Sequence, residues 1–403
     1  MSIPQPKPLL DTIEYLTKDL PRLLQNYFKQ LPHLPAEEDY GLAKQFLLSY
    51  VGSLDTFNSY RREIERLLQW SWLVAKKSIT ALTREEITQY INFVKKPPET
   101  WIAYKTVARF IDKEGERQFN PEWKPFVQRH PTARHYSLSN KSLHVLFATL
   151  TTFYTFLQQE DKINKHPVAL IRQKNRFLQR QQQHRVTRKL SELQWKTVME
   201  ATNRLADSQP HRYERSRFMM ACFYLLGLRI SELAETPDRI PKMSDFAPDS
   251  MGRWWFTTVG KGNKLRDVAV PDALLTRLKA YRLTQGLPPL PPRGDTTPLL
   301  HKERGTGGLG TRQIRNLVQQ CFDGAVALLL QQEQTDAAED LKAATVHWLR
   351  HTAISMDITS RPREHVRDDA GHGHMNTTVQ YIEINRDERH GSAKNKQLLP
   401  EEG

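Results

Sequence analysis

In Gly227-Leu-Arg-Ile-Ser-Glu-Leu233 an arginine stands in a short polar turn just after Leu228, near the end of an apolar helix that the periodicity places over residues 215 to 235. A guanidinium there offers a planar fork to two oxygens of one phosphate, which a lysine cannot reproduce, and Glu232 is placed to hold that fork. A structural ion pair is the competing reading of Arg229 in isolation.

Working outward, three further segments carry compatible chemistry. Gly260-Lys-Gly-Asn-Lys264 lies between two expected strands, 254 to 259 and 266 to 270, and its glycines permit a tight turn with Lys261 at the tip. Such a lysine could protonate a leaving oxygen, and Lys264 competes with it for the role. In His347-Trp-Leu-Arg-His351, His347 and Arg350 share one helix face and can reach one phosphate. His347 and His351 also have metal-ligand spacing. Zinc peptidases, however, place a glutamate directly after the first histidine, where Trp348 stands, and a third ligand would have to come from Asp368, Asp369, His372 or His374. Finally, Gly371-His-Gly-His-Met-Asn-Thr-Thr-Val-Gln-Tyr381 sets His372 nine positions before Tyr381. A phenol of ordinary pKa near 10 is a poor nucleophile unless cations stabilise the phenolate or a base takes its proton, and this set contains both.

The bulk composition agrees. The 403 residues include 59 Lys and Arg against 45 Asp and Glu, a formal charge of +14, which favours a polyanionic partner such as nucleic acid. Two cysteines, Cys222 and Cys321, sit in apolar helical surroundings and read as buried thiols in a reducing, cytoplasmic compartment. The N-terminus lacks a signal-peptide core, and the apolar run from Phe218 to Leu228 is too short to span a bilayer, so no membrane partner is expected.

Along the chain, residues 1 to 38, with prolines at 4, 6, 8, 21, 32 and 35, read as an extension with one short helix that could pack on the body. Residues 39 to 171 read as helical: Phe57, Tyr60, Ile64, Leu67 and Leu68 recur at helical spacing, as do Leu143, Leu146, Leu150, Phe153 and Leu157. Thr83 with Glu86 has capping-box form. Arg61, Arg62, Arg66, Lys76 and Lys77 are assigned to polar faces, as a DNA-facing surface or a solvated one. Residues 172 to 189 contain Arg172, Lys174, Arg176, Arg180, Arg185, Arg188 and Lys189 and no acid, which suits a linker along a phosphate backbone or a plain tether. Residues 190 to 385 form the second domain, with helices expected over 191–206, 272–285, 311–332, 338–358 and 374–384 and a proline-rich loop over 288–298; a polar tail, 386–403, ends the chain.

Taken together, the segments resemble the tyrosine recombinase (phage integrase) family over about residues 40 to 390, with the specific motifs between 225 and 385. The resemblance implies a mainly α fold with a small β-sheet: a helical core-binding domain and a mixed α/β catalytic domain forming a clamp around duplex DNA. It makes Arg229, Arg350 and His372 the clamp on the scissile phosphate, Lys261 the general acid for the departing 5′ hydroxyl, His347 an aid to proton transfer and Tyr381 the nucleophile. It further implies site-specific recombination through a 3′-phosphotyrosine bond without metal, ATP or other cofactor. The expected assembly is a homotetramer on two double-stranded DNA sites in the nucleoid, with accessory DNA-bending or directionality factors as further partners. The chain departs from the family where Ala370 precedes the Gly-His pair in place of leucine, and His374 adds a second imidazole. A mobile-element integrase is the role expected, with a topoisomerase-like enzyme or a DNA-binding regulator as rivals.

Overall fold

The computed structural model describes residues 3–128, 136–169, 171, 188–260 and 264–371. The chain divides into two compact units, Met1–Gln183 and His184–Gly403, each with its own apolar core. The linker expected over 172–189 lies outside the described residues except for Arg188, which is exposed, and Lys189.

The first unit is built on helices α1 (Ile13–Leu16), α2 (Arg22–Phe28), α3 (Ala36–Leu48), α4 (Leu54–Trp70), α5 (Arg84–Lys95) and α6 (Asn140–Gln159). The helical periodicity of the sequence is realised: Phe57, Ile64, Leu67 and Leu68 of α4 and Leu143, Leu146, Leu150, Phe153 and Leu157 of α6 all enter one core. Thr83 and Glu86 form the expected capping box, each side chain accepting the other's backbone N–H.

Two features were not anticipated. Residues 3–38 contain α1, α2 and the start of α3 rather than one short helix, and Leu9, Leu10, Leu16 and Leu24 are buried in the core. The backbone N–H groups of Leu9 and Leu10 both donate to Glu65 Oε1, at 2.8 and 3.0 Å, so a buried carboxylate on α4 fixes this segment. The unit is also not wholly helical. Strands β1 (Ile102–Ala103) and β4 (Phe126–Val127) pair in parallel, while β2 (Phe110–Lys113) and β3 (Glu116–Phe119) form a hairpin. Its two-residue turn, Glu114-Gly115, has positive φ at both positions (55° and 81°), the twist that matches a tight hairpin.

The second unit runs α7 (Glu192–Ser208), α8 (Pro210–Leu226), α9 (Ile230–Leu233), β5 (Phe246–Pro248), β6 (Trp254–Val259), β7 (Leu265–Ala269), α10 (Asp272–Thr284), α11 (Thr311–Gln331), α12 (Thr335–Lys342), α13 (Val346–Ser360) and α14 (Arg363–Ala370). The expected strand pair is present as β6 and β7, with β5 added on the other edge of an antiparallel sheet. The helix expected over 215–235 ends instead at Leu226, and the one expected over 338–358 is two helices, broken at residues 343–345. The region expected as a helix over 374–384 lies outside the described residues. Cys222 and Cys321 are free and buried in this core, where burial raises the Cys321 thiol to about 11. No helix among the described residues is long and apolar enough to cross a membrane.

Candidate active site

Gly227 terminates α8 in the left-handed conformation, φ 57°, which an L side chain rarely adopts. The chain turns there and Arg229 becomes the residue that caps α9. Its backbone N–H donates to Glu232 Oε2 at 2.7 Å, and its Nη1 donates to Glu232 Oε1 at 3.1 Å and to the Ala370 carbonyl at 3.4 Å. Nε and Nη2 of Arg229 carry no hydrogen bond among the described residues, and the side chain is 27% exposed. The fork is therefore held on one side and open on the other.

Arg350 reaches the same place from α13. It is 2% exposed and donates to the carbonyls of Gly227 and, at 2.7 Å, Ala370. Both acceptors lie at helix C-termini, Gly227 at the end of α8 and Ala370 at the end of α14, where carbonyls lack intrahelical partners and cations are favoured. One buried guanidinium thus joins three helices.

Glu232 is 2% exposed and is shared. Arg266 on β7 donates to both its oxygens, with Nη2 to Oε2 at 2.9 Å, and its Nε donates to the Asp369 carbonyl at 2.9 Å. Burial alone would raise the Glu232 carboxyl. The Arg266 hydrogen bond and charge, the Arg229 N–H and the Arg350 charge outweigh it and hold the carboxyl below its usual range.

Between α11 and α13 a cleft of about 460 Å³ is lined by Arg229, His347, Arg350, Arg315 and Thr345, with Phe322 at its apolar side. His347 is exposed, and its ring meets that of His351 edge-on with centroids 4.5 Å apart. Among the described residues no group of three or more His, Cys, Asp or Glu is placed to hold a metal. What the cleft offers is a concave surface with three arginines and an imidazole at its wall, suited to an oxyanion such as a phosphodiester.

Of the six residues picked from the sequence, Arg229, His347 and Arg350 line this one cleft, with Glu232 behind Arg229. Lys261, His372 and Tyr381 lie outside the described residues, though their anchoring neighbours are placed: Gly260 closes the β6–β7 hairpin by donating to the Lys264 carbonyl at 2.8 Å, and Gly371 ends α14 with φ 61°. Lys264 is exposed immediately before β7. Sequence reasoning missed Arg266 and Arg315. Arg266 is two positions from the buried Val268 on the same strand, hence on the inward face, and a charge at an inward position was the available signal.

In the first unit, Arg172, Lys174, Arg176, Arg180 and Arg185 lie outside the described residues. Arg61 and Arg62 border a cavity of about 750 Å³ together with Arg109, Lys105 and Lys124. They are already engaged: Arg61 donates to Asp11 O and, at 2.7 Å, to Asn58 Oδ1, and Arg62 pairs with Glu63 at 2.7 Å. Arg66, assigned to a polar face from the sequence, is instead buried against Glu63, at 3.1 Å. Lys76 and Lys77 are exposed beyond the end of α4, Lys77 paired with Glu86.

Neither a protein-family model nor a curated protein sequence matches the chain. Solved structures do. The XerH site-specific recombinase bound to its difH substrate, in a pre-cleavage complex, is similar at 14% identity and TM-score 0.53, with 89% of this chain and 84% of that one covered. The Tn1549 transposon integrase in complex with a circular intermediate DNA is similar at 13% identity and TM-score 0.53, covering 88% and 98%. A lambda integrase dimer bound to a COC′ core site gives 14% identity and TM-score 0.50, covering 86% and 95%. The fold is that of the tyrosine recombinases, mainly helical with small sheets, as the sequence led us to expect.

Proposed function

We propose that this protein is a site-specific DNA recombinase of the tyrosine type, serving a mobile element, that cuts and rejoins strands through a 3′-phosphotyrosine bond. The observation that carries the reading is the convergence of Arg229 and Arg350 on the Ala370 carbonyl at the wall of one cleft, with His347 beside them. A fold like that of recombinases solved on DNA adds support.

In this mechanism a duplex phosphate enters the cleft and its non-bridging oxygens meet the open edge of Arg229. The Tyr381 Oη attacks phosphorus as its proton passes to a base, the P–O5′ bond breaks as the P–O(Tyr) bond forms, and Lys261 supplies the proton that the departing 5′ oxygen takes up. Fixed cations stabilise the charge that gathers in the pentacoordinate transition state without having to reorganise. His347 assists proton transfer and His372 completes the clamp. The phosphotyrosine conserves the energy of the cleaved diester, so a second 5′ hydroxyl can reverse the step without ATP, and the arginines supply the electrostatic role for which phosphoryl-transfer enzymes use metals. Two duplexes with four active sites imply a homotetramer on DNA, with accessory DNA-bending factors as further partners and the nucleoid as the place of action.

The test is covalent trapping in cells. Wild type is expected to give SDS-resistant protein–DNA adducts at one recurrent sequence, undiminished by EDTA in lysates, and Tyr381→Phe none. Adducts at scattered sequences would replace the recombinase reading with a topoisomerase-like one. Specific DNA binding without any adduct would replace it with a regulator.

A further inference from the structure

Glu232 poses a problem for the cleft, because a carboxylate 3.1 Å from the Arg229 guanidinium competes with any anion that Arg229 is to bind. Arg266 answers it. Its guanidinium is bound to both Glu232 oxygens and to the Asp369 carbonyl, and its side chain is 10% exposed. The surroundings leave room for little else: a Cβ on Gly260 would fall 2.9 Å from Arg266 Nη1, and one on Gly371, 3.0 Å from Arg266 Cδ. Two glycines, one at the mouth of the β6–β7 hairpin and one at the end of α14, thus close around this one arginine.

We propose that Arg266 is a positioning residue that balances the charge of Glu232, so that Glu232 can orient Arg229 without cancelling it as a phosphate receptor. The proposal rests on the recombinase reading only for the identity of the phosphate, not for its binding. Arg266 touches no ligand. Its second task is to tie β7 to the carbonyl that precedes Ala370, and so to keep the hairpin and the end of α14 in one geometry with Arg229.

The account predicts a rescue that a merely structural role would not give. Removing Arg266 alone leaves Glu232 to neutralise Arg229, whereas removing the carboxylate's charge as well frees Arg229 again. Orthophosphate binding to the full chain would be followed by titration calorimetry for wild type, Arg229→Gln, Glu232→Gln, Arg266→Met and the double variant Arg266→Met with Glu232→Gln. Arg266→Met should weaken the Arg229-dependent phosphate affinity about tenfold, the scale of one uncompensated charge at close range. The double variant should return to within about twofold of wild type, since the two changes share one contact and are not additive.

Arg266→Lys, which keeps a cation beside Glu232, should bind phosphate within about twofold of wild type, and it decides the question even if Arg266→Met fails to fold. A double variant as weak as the single, an Arg266→Lys chain about tenfold weaker than wild type, or an Arg229→Gln chain that binds phosphate like wild type would each overturn the proposal. The same chains are scored for covalent DNA adducts. Phosphate binding that follows the predicted order in a wild type that forms no adduct would remove the recombinase reading and leave the role of Arg266 supported.

Discussion

Arg229 and Arg350 donate to the same acceptor, the carbonyl of Ala370, at 3.4 and 2.7 Å. One peptide oxygen at the end of α14 therefore sets the spacing of two guanidiniums, one from the turn before α9 and one from α13, and the two differ in task. Arg350 is buried and joins α8 and α14, while Arg229 keeps an open edge toward the cleft.

Arg350→Lys preserves the charge but cannot bridge two carbonyls in the planar geometry of a guanidinium. One buried carbonyl is left without a donor, a loss of about 1–3 kcal/mol. Urea denaturation should show that loss, and adduct yield should fall about a hundredfold or more as the phosphate clamp shifts.

Glu232 gives the protein a distinct acid limb. Its carboxyl is held below the usual range in the folded state, so the unfolded chain takes up its proton first as pH falls. Its stabilisation is thus fully present above the unfolded carboxylate pKa, near 4.3, and disappears as pH drops through the lower folded value. Denaturant midpoints measured from pH 7 to pH 3 should decline less steeply for Glu232→Gln than for wild type. Parallel curves would show that Glu232 is not a titrating contributor.

Gly227→Ala places a side chain at φ 57°, which costs about 1 kcal/mol, although the nearest atoms, Ala353 Cβ and Ile354 Cγ1, stand at a tolerable 3.6 Å. The expected outcome is a small drop in stability with a larger drop in adduct yield, because relaxing this turn moves both Arg229 and the carbonyl that Arg350 holds. Stability by denaturation and adduct yield by gel separate the two effects.

Glu65→Ala tests the first unit. It removes the acceptor of the Leu9 and Leu10 N–H groups and the partner of Arg109, at 2.7 Å, all in a buried setting. A cost of about 3–5 kcal/mol is expected for breaking such a pair. Limited proteolysis should then cut within residues 5–20, which in wild type are tied down.

Much of this was legible in the sequence because it rests on local rules. Periodicity located α4 and α6, the Thr83–Glu86 spacing located the start of α5, and two short runs on either side of a Gly-rich turn located β6 and β7. Arg229, Glu232, His347 and Arg350 were legible because each sits in a short segment whose residue types suit one chemistry. What escaped depends on distant partners. The burial of Leu9 and Leu10 needs Glu65, more than fifty residues away, and Arg66 looks like a surface residue until Glu63 and the Pro125 carbonyl are brought beside it. Helix α8 stops at Gly227, inside the run read as one helix over 215–235, since a single left-handed residue outweighs periodicity. Arg266 was visible only as part of a strand, because its meaning depends on Glu232 and Asp369.

The most direct measurement identifies the amino acid joined to DNA. Adducts formed by wild type are digested with nuclease and protease, and the nucleotide-bearing peptide is sequenced by mass spectrometry. The account predicts a single peptide with a 3′-phosphonucleotide on Tyr381. A nucleotide on any other residue, or on the 5′ end of the cut strand, would contradict it.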